Sequence, residues 1–340
     1  MTLLFDDVIG HSGVLALLES EMKRPAQAYL FVGPESVGKA AVALRFAAGL
    51  LGGEENERTR RLVLSGTHPD LRILEPEGAT SLGVEQARDV VSSASMSPVE
   101  SPYTVFLFPD AGAMTDQAAN ALLKTLEEPS ASVGFLLVAE SEDDFPPTVA
   151  SRCRTVHMGR VPSAELIEAL EEKGLTSTEA EGVAVVAGGR PGLALSLMSQ
   201  PEVARFREMW LSIPARVTPH PGDGQRLASV VLEELEPLVD QSVPDDLPKE
   251  KAQRARRRVE MSLLVGGLEI LASWYADSAS LQMGGPIRNA DVELASFTDV
   301  SPRKAVTCAE EILDAVVDIQ GNLRRELVLA NLFSSLGSGS

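Results

Sequence analysis

The order of elements predicts an α/β domain followed by helical domains, and three observations lead to it. A short apolar run, Ala28-Tyr29-Leu30-Phe31-Val32, feeds a glycine loop, Gly33-Pro34-Glu35-Ser36-Val37-Gly38-Lys39-Ala40, which opens an Ala/Leu-rich helix. Strand and helix patterns then alternate to about residue 160, after which strand signals stop and helical periodicity takes over. A strand, a glycine loop and a helix, repeated in alternation, give a parallel sheet with crossover helices.

Each element follows in order. The helix over 40–51 ends at Gly52-Gly53, and Leu71-Arg72-Ile73-Leu74 forms a second strand. Residues 85–94 read as a helix, and Thr104-Val105-Phe106-Leu107-Phe108 as a third strand buried on both faces. A helix over 116–126 and a fourth strand over 134–139 complete the alternation. Pro162-Ser163-Ala164-Glu165 opens a helix with Ser163 as its N-cap. Helical patterns continue to Leu175 and over 178–198, broken at Gly188-Gly189-Arg190-Pro191-Gly192. Residues 218–225 form a loop, 225–238 an amphipathic helix and 243–249 an acidic, proline-containing linker. Residues 250–336 are nearly all helical, with Leu263, Leu264, Leu268, Ile270 and Leu271 as core, and the tail 337–340 is expected to be disordered. The expected domains are 1–160, 161–212 and 213–336.

Composition narrows the class. The 340 residues are 44% hydrophobic and 23% charged, as in soluble globular proteins. No apolar run nears the roughly 18 residues that span a bilayer. The acidic start, Met1-Thr2-Leu3-Leu4-Phe5-Asp6-Asp7, is not a signal peptide, so the expected location is cytoplasmic. The two cysteines, Cys153 and Cys308, cannot build a disulfide framework. A net charge of −19 disfavours direct duplex binding, which depends on concentrated Lys and Arg. The basic run over 249–258 reads as a solvated helix face.

The glycine loop is a phosphate-binding loop complete except at its last position. In such loops the backbone N–H groups cradle phosphates, the lysine reaches the β- and γ-phosphates, and a final Ser or Thr holds Mg²⁺. Here that position is Ala40. The third strand ends at Asp110, where a magnesium-holding Asp belongs, yet Ala111 follows where a water-activating Glu is common. Two losses in one apparatus argue against hydrolysis by this chain. What remains at Gly33, Gly38, Lys39 and Asp110 is a structural loop or a pocket that binds ATP or ADP without turnover.

Asn120-Ala121-Leu122-Leu123-Lys124-Thr125-Leu126-Glu127-Glu128-Pro129, followed by Ser151-Arg152-Cys153, closely resembles the clamp-loader branch of the AAA+ ATPases. Gly66-Thr67-His68-Pro69-Asp70, the opening Phe5-Asp6-Asp7-Val8-Ile9-Gly10 and Trp274-Tyr275-Ala276-Asp277 match it too, across essentially the whole chain.

The resemblance implies an α/β P-loop AAA+ domain, a small helical lid and an all-α C-terminal collar. It also implies a hetero-pentamer with γ/τ-type and δ subunits, acting through that assembly on a sliding clamp and primed DNA. Arg152 is then an arginine finger offered to a neighbouring ATPase subunit, and Arg190 lies where the family's sensor-2 residue contacts the γ-phosphate. A helix-start arginine is the equal alternative for Arg190. Within the branch, the pattern is most similar to subunits with a degraded ATP site and a complete finger motif. Two readings compete: a hydrolysing γ/τ-type motor subunit, and an AAA+-derived adaptor outside replication. The sequence departs from the family twice. The four zinc-binding cysteines common between the P-loop helix and Gly66 are missing, so no zinc is expected there. Val138-Ala139-Glu140-Ser141 lacks the Thr or Asn expected of a sensor.

Overall fold

In a computed structural model, the structure describes residues 4–76, 81–128, 130–198, 202–220, 222–243, 247–289, 292–298, 300–321 and 323–338. Packing divides the chain into two compact units, Met1–Leu166 with Arg190–Gly192, and Ile167–Gly189 with Leu193–Ser340.

The first unit is built in order from α1 (Ser12–Glu21), β1 (Ala28–Val32), α2 (Lys39–Leu50), α3 (Glu57–Leu64), β2 (Leu71–Ile73), α4 (Val84–Ala94) and β3 (Thr104–Phe108). It continues through α5 (Asp116–Glu127), β4 (Val133–Ala139), the one-turn α6 (Pro147–Ala150) and β5 (Arg154–His157). All pairings are parallel, in the order β2-β3-β4-β1-β5.

Period-two alternation along the strands builds two cores. Tyr29 and Phe31 of β1 join Val42, Phe46 and Leu136 on one face, with the Tyr29 and Phe46 rings 4.8 Å apart and edge-on. Leu30 and Val32 join Phe106, Phe135 and Leu137 on the other, where Phe106 and Phe135 stack at 5.4 Å. Every residue of β1, β3 and β4 is buried, as central strands covered on both faces should be.

The predicted strands and helices of this unit are present, and four further elements, the one-turn α6 among them, were not expected. β5 is an edge strand of four residues whose only buried side chain is Val156. α1 is preceded by His11 in a left-handed conformation rather than by a capping side chain. α3 is capped by Asn56, whose side chain accepts from Arg58 and Thr59 N–H.

α7 (Ser163–Glu172) begins in the first unit and ends in the second; there α8 (Ser177–Ala187), α9 (Pro191–Leu197), α10 (Glu202–Arg216), α11 (Asp223–Ser242), α12 (Lys249–Gln282), α13 (Pro302–Gln320) and α14 (Arg325–Ser338) follow. Leu263, Leu264, Leu268, Ile270 and Leu271 of α12 are all buried, as expected. α12 is the one described helix long and apolar enough to cross a membrane, but 67% of its apolar window is buried inside the fold, as in a core helix. Gly267 lets Trp210 approach, since a Cβ there would lie 1.9 Å from the indole.

The expected disordered tail is corrected in part. α14 extends to Ser338, and Gly337 is buried where a Cβ would lie 2.2 Å from the Thr218 carbonyl oxygen. Gly339 and Ser340 lie outside the described residues, as do Pro129 of the resemblance motif and positions 244–246 of the linker.

Candidate functional site

Parallel strands bring their C-terminal ends to one edge, where ligands of open α/β sheets bind. Val32 pairs with Ala139 and with His157, so the glycine loop leaves the sheet between β4 and β5. Gly33 N–H donates to the Glu140 carbonyl at 3.1 Å, and Met158 N–H to that of Val32 at 2.8 Å. Gly33 has φ 147°, and a Cβ on it would stand 1.9 Å from the Met158 carbonyl oxygen. Only glycine fits there.

Ser36 (φ 61°) and Gly38 (φ 101°) also adopt left-handed conformations, so the loop turns successive N–H groups inward as an anion nest does. Nothing lies within 4 Å of a Cβ built on Gly38, which leaves that side open. Lys39, 7% exposed, donates from Nζ to the carbonyls of Gly33 and Pro34, each at 2.6 Å. Two neighbours hold the loop from outside. His11 Nε2 lies 2.9 Å from the Val37 carbonyl oxygen, and Gly192 N–H donates to that of Ser36 at 2.9 Å. Arg190, two residues before Gly192, is buried at 2% exposure. The opening segment is fastened as well: Phe5 is fully buried and Asp7 pairs with Arg45 of α2.

The catalytic positions tell a different story. Ala40 offers a methyl where a metal-holding hydroxyl is needed. Ala111 is fully buried in the apolar cluster with Phe108 and Val149, leaving no space for a water-activating carboxylate. After β4, the Asp144 carboxylate accepts from Glu140 and Ser141 N–H, both at 3.0 Å, and closes the loop on itself. Asp110, Glu140, Glu142, Asp143 and Asp144 make this edge acidic, which opposes a polyphosphate. The donor set fits a phosphate at the loop backbone, but not a hydrolysing magnesium–nucleotide site.

Arg152 lies at the other end of the sheet. It sits between α6 and β5, and β5 begins at Arg154, beside Thr155, which pairs with Leu30 of β1. The β1–β5 ladder from Tyr29 to Val32, about 10 Å at ~3.3 Å per residue, lies between the start of β5 and the chain's own glycine loop. The Arg152 side chain is 33% exposed and pairs through Nη2 with Glu127, while Nη1 donates to the Thr148 carbonyl at 2.6 Å. Cys153 beside it is half-buried, and burial pushes its thiol up to about 12, which makes it inert as a nucleophile.

Of the expected site residues, the structure brings Gly33, Gly38, Lys39 and Asp110 to one edge and sets Arg152 apart. Sequence reasoning missed His11, Asp144, Thr148 and Glu127. Only Glu127 lay within a quoted motif. Other motifs are structural. Asp70 is 2% exposed and accepts the N–H groups of Val99, Glu100 and Ser101 at 2.5, 2.9 and 2.9 Å. Burial alone raises its carboxyl, but those three bonds and nearby His68 outweigh it and hold it below the usual range. Asp277 likewise binds the N–H groups of Arg288 and Asn289, while Trp274 packs 5.4 Å from Phe297.

A glycine loop at the C-terminal edge of a five-stranded parallel sheet defines a P-loop α/β domain, and helices follow it in the chain. Residues 11–162 match the family model described as DNA polymerase III, delta subunit. The DNA polymerase III subunit delta' of Pseudomonas aeruginosa is 40% identical over 136 residues, covering 38% of this chain and 42% of the relative. The subunit tau/gamma of Haemophilus influenzae is 32% identical over 178 residues, covering 49% of this chain and 25% of the relative. The chain thus spans less than half the length of these relatives. The N-terminal α/β unit is similar in sequence to DNA polymerase III delta and delta' subunits. A solved Thermotoga maritima DNA polymerase III gamma subunit-related protein aligns with TM-score 0.47 and 18% identity, covering 95% of this chain and 98% of that one.

Proposed function

We propose that this chain is the delta' subunit of a DNA polymerase III clamp loader. It helps place a sliding clamp on primed DNA, lends Arg152 to a neighbouring ATPase subunit and does not hydrolyse ATP itself. One observation carries this reading: Arg152 and the chain's own P-loop occupy opposite edges of the same sheet. A guanidinium so placed cannot serve its own phosphate loop, yet it is partly exposed and poised to meet another subunit. There it stabilises charge on the transferred phosphoryl group, an effect of about 10³–10⁵ in rate.

On this reading the P-loop holds nucleotide passively or acts as a structural loop, with Gly33, Gly38, Lys39, Asp110 and Arg190 around it. Residues 161–212 act as the lid and 213–336 as the collar that joins γ/τ-type and delta subunits in a cytoplasmic hetero-pentamer. The second unit supports a collar role. Val306, Leu313 and Val317 of α13 and Leu327 of α14 are exposed apolar side chains, 47–66% accessible. Leu327 also lines a groove of about 530 Å³ that carries Glu311, Asp314 and Asp318. Exposed apolar surface with a polar rim marks a protein-binding face.

The tau/gamma matches extend over more of the chain than the delta' matches, which favours a motor subunit as the second reading. Ala40 and buried Ala111 stand against it. The deciding experiment reconstitutes the complex with Arg152→Ala. ATP turnover should fall by about 10³ or more with assembly intact, and unchanged turnover refutes the finger.

A further inference from the structure

We propose that Glu127 is a positioning residue for Arg152, a strut that holds the guanidinium where a neighbouring subunit's phosphate meets it. This rests on the finger reading above. Two elements converge on the one side chain. Glu127, the last residue of α5, pairs with Nη2, and Thr148 of α6 accepts from Nη1. α5 is itself fixed: Thr115 caps it by accepting from Ala118 N–H at 3.2 Å, and Ala118, Ala119, Leu122 and Leu126 are buried. The strut is therefore anchored in the core although its carboxylate reaches solvent.

The location of the pair speaks for a purpose beyond stability. A carboxylate at a helix C-terminus faces the negative end of the helix dipole, so Glu127 is poorly placed for α5 alone. The guanidinium offsets that penalty. Both partners remain substantially exposed, at 33% for Arg152 and 45% for Glu127, where an ion pair adds little to folding. What it does is restrict a long, flexible side chain to one direction, and preorganisation of this kind lowers the ordering cost when a ligand arrives.

The bonding also separates a strut from a lock. Arg152 uses Nη1 toward Thr148 and, at 3.5 Å, toward Ser151 Oγ, and one Nη2 hydrogen toward Glu127. Among the described residues the Nε–H takes no partner, and Nη2 carries a second hydrogen. The Nε–H and the second Nη2 hydrogen therefore remain as donors for phosphate oxygen while Glu127 keeps its hold.

The test measures ATP turnover by the complex reconstituted with its ATPase subunits. Glu127→Ala should lower kcat about 2- to 5-fold, the weight of an exposed ion pair read as a rate, with KM, assembly and melting temperature unchanged. Glu127→Gln, which keeps an acceptor, should recover part of the loss. In an Arg152→Ala background, Glu127→Ala should change nothing further. An unchanged or raised kcat, or an equal additional fall in that background, overturns the strut. If Arg152→Ala itself leaves turnover intact, the finger reading fails first. A silent Glu127→Ala beside a crippling Arg152→Ala refutes the strut alone.

Discussion

The two edges of the sheet differ in what they are made of. At the C-terminal edge the backbone has the form of a phosphate loop: Gly33, Ser36 and Gly38 adopt the required left-handed conformations. The side chains that would do chemistry there are methyl groups, Ala40 and Ala111. At the opposite edge the Arg152 guanidinium is held by Glu127 and by the Thr148 carbonyl. The contrast teaches that loop shape and catalytic competence answer to different constraints. Gly33 is demanded by the Met158 carbonyl, and Lys39 ties the loop's own carbonyls together. Both residues have structural work to do whether or not a nucleotide is turned over.

Beyond the loss at Arg152, three substitutions probe the contrast, the largest effect first. Ala111→Glu restores a water-activating residue by sequence alone. Because position 111 is fully buried in an apolar cluster, the expected result is destabilisation of about 3–5 kcal/mol in chemical denaturation, with no turnover gained. A stable variant that hydrolyses ATP breaks the comparison.

Asp70→Asn tests a part of the domain that serves neither edge. Losing one of two accepting oxygens should cost about 1–3 kcal/mol in the same assay. The Asp70 carboxyl is depressed in the folded state, so its contribution is fully present above the unfolded value of about 3.9. It is lost as pH falls from there through the lower folded value. Thermal melts between neutral pH and about 2 should therefore show a shallower acid decline in the variant than in the parent. Equal declines remove the assigned role.

Lys39→Ala should have the smallest effect on function. It deletes two hydrogen bonds inside the loop, yet turnover by the reconstituted complex should stay within about twofold of the parent. A collapse in turnover locates chemistry at this edge after all.

The alternation of strands, the loop and the α12 core were readable because each rests on local chemistry: apolar runs, glycines and helical spacing. β5 was not, since Arg154-Thr155-Val156-His157 buries only Val156 and has exposed polar side chains at both ends. α1 escaped because its start is a left-handed His11, a conformation that no capping signal announces. At the candidate site, Ala40, Ala111 and Arg152 could be picked out as residue types in a motif. The Glu127 partnership could not, because 25 residues separate it from Arg152 and only the packing of α5 against α6 brings them together. The bond from Gly192 to Ser36 is invisible for the same reason, spanning residues far apart in the chain.

Cys153 gives the Ser-Arg-Cys segment a chemical consequence of its own. With burial pushing its thiol up to about 12, little of it is thiolate at neutral pH. Peroxide, disulfides and alkylating reagents all attack through that form. The residue next to Arg152 is thereby a poor target for oxidants and alkylating reagents at neutral pH.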